Sequence, residues 1–345
     1  MPLRGLIGER SSIVLFGDSL TQRGWGPDGS VGWASSLSHT FQRKADVFNR
    51  GYGGYNTRWA AFLAPYLFPA LGSGGSSKHL LVTVWFGAND AAAPTEGPHV
   101  PLDEYEANLG AIIGQCQRAS LAVVVLTPPP VHEATRLEYQ RRAHGPRATG
   151  VAERTTERAG AYAAAAKRVA ARRGVRCLDV HGLMLAEGGS GAGGWPSFVG
   201  AGDPAGDGLH LSATGQRFVA DRLVELLLTA TGGGPGEPRG APLVDLEVLP
   251  TELPLGSAVD PSRFQASLLD HQVHARALAV GNGHARPAAA PAASPLPWGG
   301  GAELVEIAGL PVLPALGCFA AGAVVAALTL ARFSSGHSRW PARSE

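Results

Sequence analysis

Three short apolar runs constrain what this chain can fold into. They are Ile-Val-Leu-Phe at 13–16, Leu-Leu-Val-Thr-Val-Trp-Phe at 80–86 and Leu-Ala-Val-Val-Val-Leu at 121–126. Each stops at a loop containing glycine, proline or asparagine, and β-branched residues are prominent in all three. None alternates apolar with polar, so none suits a strand wetted on one face; such runs fit parallel strands covered on both sides. Residues 175–178 and 46–49 are weaker strand candidates. Helical patterns fall between the runs. Residues 102–119 place Leu109, Ile112, Ile113 and Cys116 at helical spacing, residues 151–173 are Ala-rich and charged, and Ser212 stands where it can cap a last helix carrying Phe218, Val219, Leu223 and the leucines at 226–228. Strand–helix alternation over residues 11–231 predicts one α/β domain built on a parallel sheet, with reactive groups on loops past the carboxyl ends of the strands.

The chain has 345 residues, room for one such domain and an appendage. After an N-terminal segment 1–10 without an apolar signal core, and the domain 11–231, the character changes. Glycine and proline together exceed a fifth of the sequence and crowd into residues 232–306, which read as an unpacked linker with local helix at most around 264–278. Residues 307–331 then run 25 positions without a charge, about 37 Å as a helix and enough for a ~30 Å bilayer core, before a basic tail at 332–345. The alternative is an Ala-rich tail or a helix docked on the domain. We expect a transmembrane helix acting as a tail anchor, with the domain facing the cytoplasm. The positive-inside rule argues for the opposite topology, but that would require moving a large N-terminal domain across the membrane without a visible signal. A net charge of +1 gives no push toward nucleic acid. Cys116, Cys177 and Cys318 are far apart and odd in number, which supports neither a disulfide framework nor a zinc site and fits a reducing compartment.

Two segments carry the chemistry of a serine nucleophile. Gly17-Asp18-Ser19 follows the first apolar run, so Ser19 sits on a strand-to-helix turn, as a nucleophile or as an ordinary capping residue. A serine hydroxyl needs a base and donors for the oxyanion it creates. Asp207-Gly208-Leu209-His210 offers a carboxylate and an imidazole one turn apart, either as an orienting acid and a base or as a turn with a capping Asp. Between them, the glycine-dense 49–57 segment can bring a backbone N–H such as that of Gly54 close to an acyl oxygen, or simply turn the chain. Asn89, directly after the strongest strand, can donate to the same oxygen or close an Asx turn.

Together these segments resemble the SGNH (GDSL-type) hydrolase family: Gly-Asp-Ser-Leu its first block, residues 49–57 its second, Gly-Ala-Asn-Asp its third and Asp-Gly-Leu-His its fifth. A closer likeness, carried by Asn-Arg-Gly-Tyr-Gly-Gly-Tyr-Asn-Thr-Arg-Trp, Phe-Gly-Ala-Asn-Asp-Ala, Val-Pro-Leu-Asp-Glu-Tyr and Thr-Pro-Pro-Pro, is to the isoamyl acetate-hydrolysing esterase branch. The resemblance implies a flavodoxin-like three-layer α/β/α sandwich and no metal or cofactor. It also implies a catalytic triad of Ser19, Asp207 and His210, with an oxyanion hole formed by the Ser19 and Gly54 N–H groups and the Asn89 side chain. Trp59 is carried by the likeness as a substrate-binding candidate; for Trp25, Trp33 and Trp85 core packing is the expectation. The sequence departs from the compact pattern in a Gly-rich loop at 187–206 and in the linker and apolar tail.

The expected activity is hydrolysis of small or short-chain acyl esters through an acyl-enzyme. The nearest alternative is another acyl hydrolase on the same fold, namely a lysophospholipase, thioesterase or carbohydrate deacetylase. The second is a retired hydrolase fold serving as a binding or scaffold protein, whose signature would be a missing triad or oxyanion residue; none is missing.

Overall fold

The strands of the sheet are β1 (Ser11–Gly17), β2 (Ala45–Gly51), β3 (His79–Trp85), β4 (Ala122–Leu126) and β5 (Arg176–Leu178). They lie in the order β2-β1-β3-β4-β5 and pair in parallel throughout. The computed structural model describes residues 10–26, 30–69, 79–187 and 194–229, with 243, 244, 246, 249, 257 and 261–263. The helices are α1 (Ser19–Gln22), α2 (Trp33–Thr40), α3 (Thr57–Leu67), α4 (Leu102–Arg118), α5 (Glu133–His144), α6 (Thr156–Arg173), α7 (Val180–Ala186) and α8 (Ala213–Leu228).

Period-two alternation divides each central strand between two cores. Ile13 and Leu15 of β1 join Trp33 and Leu37 of α2 and Val219, Leu223 and Leu227 of α8 on one face. Val14 and Phe16 join Ala60 and Ala64 of α3, Ile112 and Ile113 of α4 and Val169 of α6 on the other. Both faces are therefore apolar, which is why the runs read from sequence do not alternate. The result is the expected three-layer α/β/α sandwich.

Several boundaries differ from expectation, each for a local reason. The predicted helix at 151–173 begins only at Thr156, because the Thr155 side chain accepts the Arg158 N–H and caps it there. Its Gly174 stop is left-handed, with φ +63°. Helix α5 has no counterpart in the sequence reading: it is highly polar, and Arg136 and Gln140 supply its buried side chains. Strand β2 is an edge strand with only Ala45 buried, so its signal was weak. Trp33 and Trp85 are buried as expected, but Trp25 is 44% exposed, because its segment Arg23–Trp25 is a surface turn rather than core. Ser212 caps α8 as predicted, accepting from the Gly215 N–H.

Of the segment expected to be a linker, a few positions beyond α8 are described, and some of them pack on the domain. Val244 is buried, its N–H reaches the Leu227 carbonyl, and Leu243, Leu246 and Leu249 pack against the first core. Leu243, Val244, Leu246 and Leu249 supply the apolar surface for this packing. Residues 264–278, the 307–331 segment, the basic tail and Cys318 lie outside the described residues. Among the described residues, no helix is long and apolar enough to cross a membrane.

Candidate active site

The carboxyl ends of β1, β2 and β3 lie level, with Gly17 opposite both Gly51 and Trp85. Ser19 opens α1, two residues beyond the end of β1. As the first helical residue, it has an N–H with no acceptor inside the helix. Asp18 caps the turn: its Oδ1 accepts the Leu20 N–H at 2.9 Å, and its own N–H donates to the Trp85 carbonyl at 3.2 Å. Asp18 is wholly buried, and its Oδ2 has no partner among the described residues. Burial pushes its carboxyl up to about 7; the Leu20 N–H opposes this and the nearby Asp90 charge adds to it. Asp90 is buried too and rises to about 6, although the Thr57 hydroxyl and N–H both donate to its Oδ1.

His210 reaches Ser19 from 191 positions away: Nε2 lies 2.8 Å from the serine Oγ, and Nδ1 lies 2.5 Å from Asp207 Oδ2. Asp207 answers both alternatives at once. Its Oδ1 accepts the Leu209 and His210 N–H groups at 3.0 and 2.8 Å, closing the turn, while Oδ2 faces the imidazole. Burial alone would raise its carboxyl. The His210 hydrogen bond and charge and the two backbone donors outweigh burial and hold Asp207 well below the usual carboxylate range. An ionised Asp207 only accepts, so Nδ1 carries a proton toward it, and an unprotonated Nε2 can accept from the Ser19 hydroxyl.

Two clamps fix this pair. Gly208, with φ +74°, lets the turn press against the start of α5, where its carbonyl accepts the His132 N–H at 2.9 Å. On the other side, Gln216 of α8 accepts the Trp33 N–H at 3.0 Å and donates to the Arg23 carbonyl at 3.3 Å, while the Trp33 indole N–H donates to the Leu20 carbonyl at 3.0 Å. Helix α8 is thus tied to the turn that carries the nucleophile.

The glycine-dense loop after β2 is anchored to the same turn. The Tyr52 N–H donates to the Gly17 carbonyl at 2.8 Å, and the Gly53 N–H donates to Gln22 Oε1 at 2.6 Å. Gly54 occupies the third position of the turn closed by Tyr55 N–H to the Tyr52 carbonyl, with φ +82° and open space where a Cβ would stand. A left-handed position explains the glycine. Asn89 forms no Asx turn. Its Nδ2 donates to the carbonyl of Tyr55, the residue after Gly54, at 2.9 Å, leaving the second amide hydrogen for a ligand. Trp59 is 43% exposed and meets the Tyr55 ring edge-on at 5.4 Å. Sequence reasoning missed the polar residues behind Asn89 and Asp207. Arg136, Glu153 and Arg154 form a nearly dry ion network, with side-chain exposures of 11%, 11% and 12%. The only sequence signal was an adjacent Glu-Arg pair ahead of a helix.

A model of the GDSL-like lipase/acylhydrolase family matches residues 15–218. The chain belongs to this family. It is a carboxylic ester hydrolase. The esterase is 39% identical over 219 residues to a GDSL esterase/lipase of Arabidopsis thaliana, covering 62% of this chain and 84% of the relative. It is 34% identical over 264 residues to the isoamyl acetate-hydrolyzing esterase 1 homolog of Mus musculus, covering 74% and 91%. Among solved structures it aligns with the lipase/acylhydrolase from Enterococcus faecalis at 23% identity and a TM-score of 0.46, over 62% of this chain and 94% of that one.

Proposed function

We propose that the protein hydrolyses small or short-chain acyl esters, acetate-type esters first, through an acyl-enzyme on Ser19. The observation that carries this reading is the unbroken relay from Ser19 Oγ through His210 to an ionised Asp207, at 2.8 and 2.5 Å. In this mechanism Oγ attacks the ester carbonyl as Nε2 takes its proton, and Asp207 keeps the imidazole oriented and balances its charge. The carbonyl oxygen becomes an oxyanion, held by the Ser19 and Gly54 N–H groups and the free hydrogen of Asn89 Nδ2. Collapse expels the alcohol, which leaves with the proton from Nε2. Water then loses a proton to the same nitrogen and attacks the acyl carbon; the acyl–Oγ bond breaks, Oγ regains the proton from Nε2 and the acid departs. The relative named for isoamyl acetate hydrolysis supports the acetate preference, and the exposed Trp59 edge beside Tyr55 offers an apolar wall for an alkyl group.

The test is fluorophosphonate labelling and turnover of the full chain, wild type beside Ser19→Ala and Asn89→Ala, on p-nitrophenyl acetate, isoamyl acetate, a lysophospholipid and an acyl-CoA. Ser19→Ala is expected to lose labelling and all turnover, and Asn89→Ala to lose on the order of 10²–10³ in kcat. Turnover retained in Ser19→Ala would refute the nucleophile. Preference for the lysolipid or thioester would move the substrate to the alternative class. A folded wild type that neither labels nor turns over would favour the scaffold reading.

A further inference from the structure

A carboxamide is a donor at one end and an acceptor at the other. Turned over, Asn89 would present an oxygen to the oxyanion and repel it. Its orientation therefore matters as much as its position. The Tyr55 carbonyl draws Nδ2 with a single hydrogen bond at 2.9 Å. At the opposite end Arg154 Nη2 donates to Asn89 Oδ1 at 3.0 Å. A guanidinium only donates, so the flipped amide would set donor against donor at Arg154 and oxygen against oxygen at Tyr55.

Arg154 is itself immobilised through each of its other nitrogens. Nε donates to the Ala88 carbonyl at 3.0 Å, next to Asn89 in the chain, and Nη1 pairs with Glu153 Oε1 at 2.8 Å. Glu153 is fixed in turn by Arg136 and by the Gln140 amide, and its N–H-bearing loop is tied in by the Ala93 N–H to the Glu153 carbonyl at 2.7 Å. Burial would raise the Glu153 carboxyl, but its arginine partners outweigh burial and keep it ionised. Arg136 Nη1 lies 3.7 Å from Asp207 Oδ2, so the same network reaches the orienting acid. Arg136, Arg154, Glu153 and Asp207 balance in charge, as a dry cluster must.

We propose that Arg154 is a positioning residue that sets the Asn89 carboxamide with Nδ2 toward the substrate oxygen. This rests on the oxyanion role of Asn89 proposed above. A planar fork serving Ala88, Asn89 and Glu153 together is a task that a lysine, with one compact ammonium, does not reproduce.

The test places Arg154→Lys and Arg154→Met in the full chain, each alone and combined with Asn89→Ala, with p-nitrophenyl acetate as probe. Arg154→Lys keeps the charge opposite Glu153, and so gives a readable variant if Arg154→Met fails to fold. The expected result is a loss of about tenfold or more in kcat with KM within about twofold, and no further loss when Asn89 is already alanine. A structural role alone would add its cost in both backgrounds. Losses that multiply, or an unchanged kcat in Arg154→Lys, would overturn the proposal. An Asn89→Ala variant with wild-type kcat would overturn the oxyanion assignment beneath it, and is told apart because it appears without any change at Arg154.

Discussion

Replacing Asp18 by asparagine should flatten the pH dependence of stability. Folded Asp18 keeps its proton up to about pH 7, because burial disfavours the carboxylate, whereas the unfolded chain releases it near 3.8. Between those values the folded state binds more protons, so the stabilisation is fully present below 3.8 and is lost as pH rises through about 7. Linkage with those two values gives a loss of about 2.5 kcal/mol between about pH 5 and pH 8. Asparagine does not titrate and still offers an oxygen to the Leu20 N–H; its amide takes the place of an Oδ2 that has no partner among the described residues. Asp90 titrates in both proteins and largely cancels in the comparison. The assay is urea unfolding of wild type and Asp18→Asn at intervals from about pH 5 to pH 8. With a slope of about 2.5 kcal/mol/M, the wild-type midpoint should fall by about 1 M more than that of the variant. Parallel curves would show that Asp18 is ionised across this range and that the reasoning from burial fails.

Asp207→Asn should lower kcat on the order of 10²–10⁴, since an amide no longer selects the Nδ1–H tautomer of His210; steady-state turnover of the variant, shown to be folded by circular dichroism, checks it, and near-wild-type kcat would refute the orienting role. Gly208→Ala puts a Cβ 2.5 Å from the His132 carbonyl and 2.8 Å from the Arg136 nitrogen, at φ +74°. Both neighbours are backbone, so thermal unfolding should show a loss of about 2 kcal/mol or more, and fluorophosphonate labelling should slow as His210 is displaced.

The sequence was most legible where one residue type serves one physical demand. Runs such as Ile13 to Phe16 had to be apolar at every position because both faces are covered, and Ser212 had to precede a helix because its hydroxyl takes the Gly215 N–H. The four reactive segments were readable for the same reason: Ser19 opens a helix just past Gly17, and Gly54, Asn89 and His210 sit on short turns with glycine close by. What was hidden depends on pairing across distance. Nothing local in α5 indicates that Arg136 faces inward, because its value lies in Glu153 and Asp207, 17 and 71 positions away. Arg154 likewise reads as an ordinary charged residue until the fold brings it, across 65 positions, against Asn89.

The placement of the site follows from the strand order. Chain leaving β1 passes to α2 on one face of the sheet, whereas chain leaving β3 passes to α4 on the other. Neighbouring strands whose connections diverge leave a crevice at their carboxyl ends, the one place on a parallel sheet that backbone does not cover. Ser19 stands on one bank of that crevice and Asn89 on the other, with the Gly54 loop tied to the first through Gly17 and to the second through Tyr55. Asp207 and His210 cannot come from either bank, since both strands are already spent. They arrive from the segment after β5 at the far edge, and α8 brings them home by packing beside α2 and bonding Trp33 and Arg23 through Gln216. The nucleophile near the beginning of the chain and the base nearly two hundred residues on are thus consequences of one topology, and a change that loosens α8 from α2 acts on the chemistry as directly as a change at Ser19.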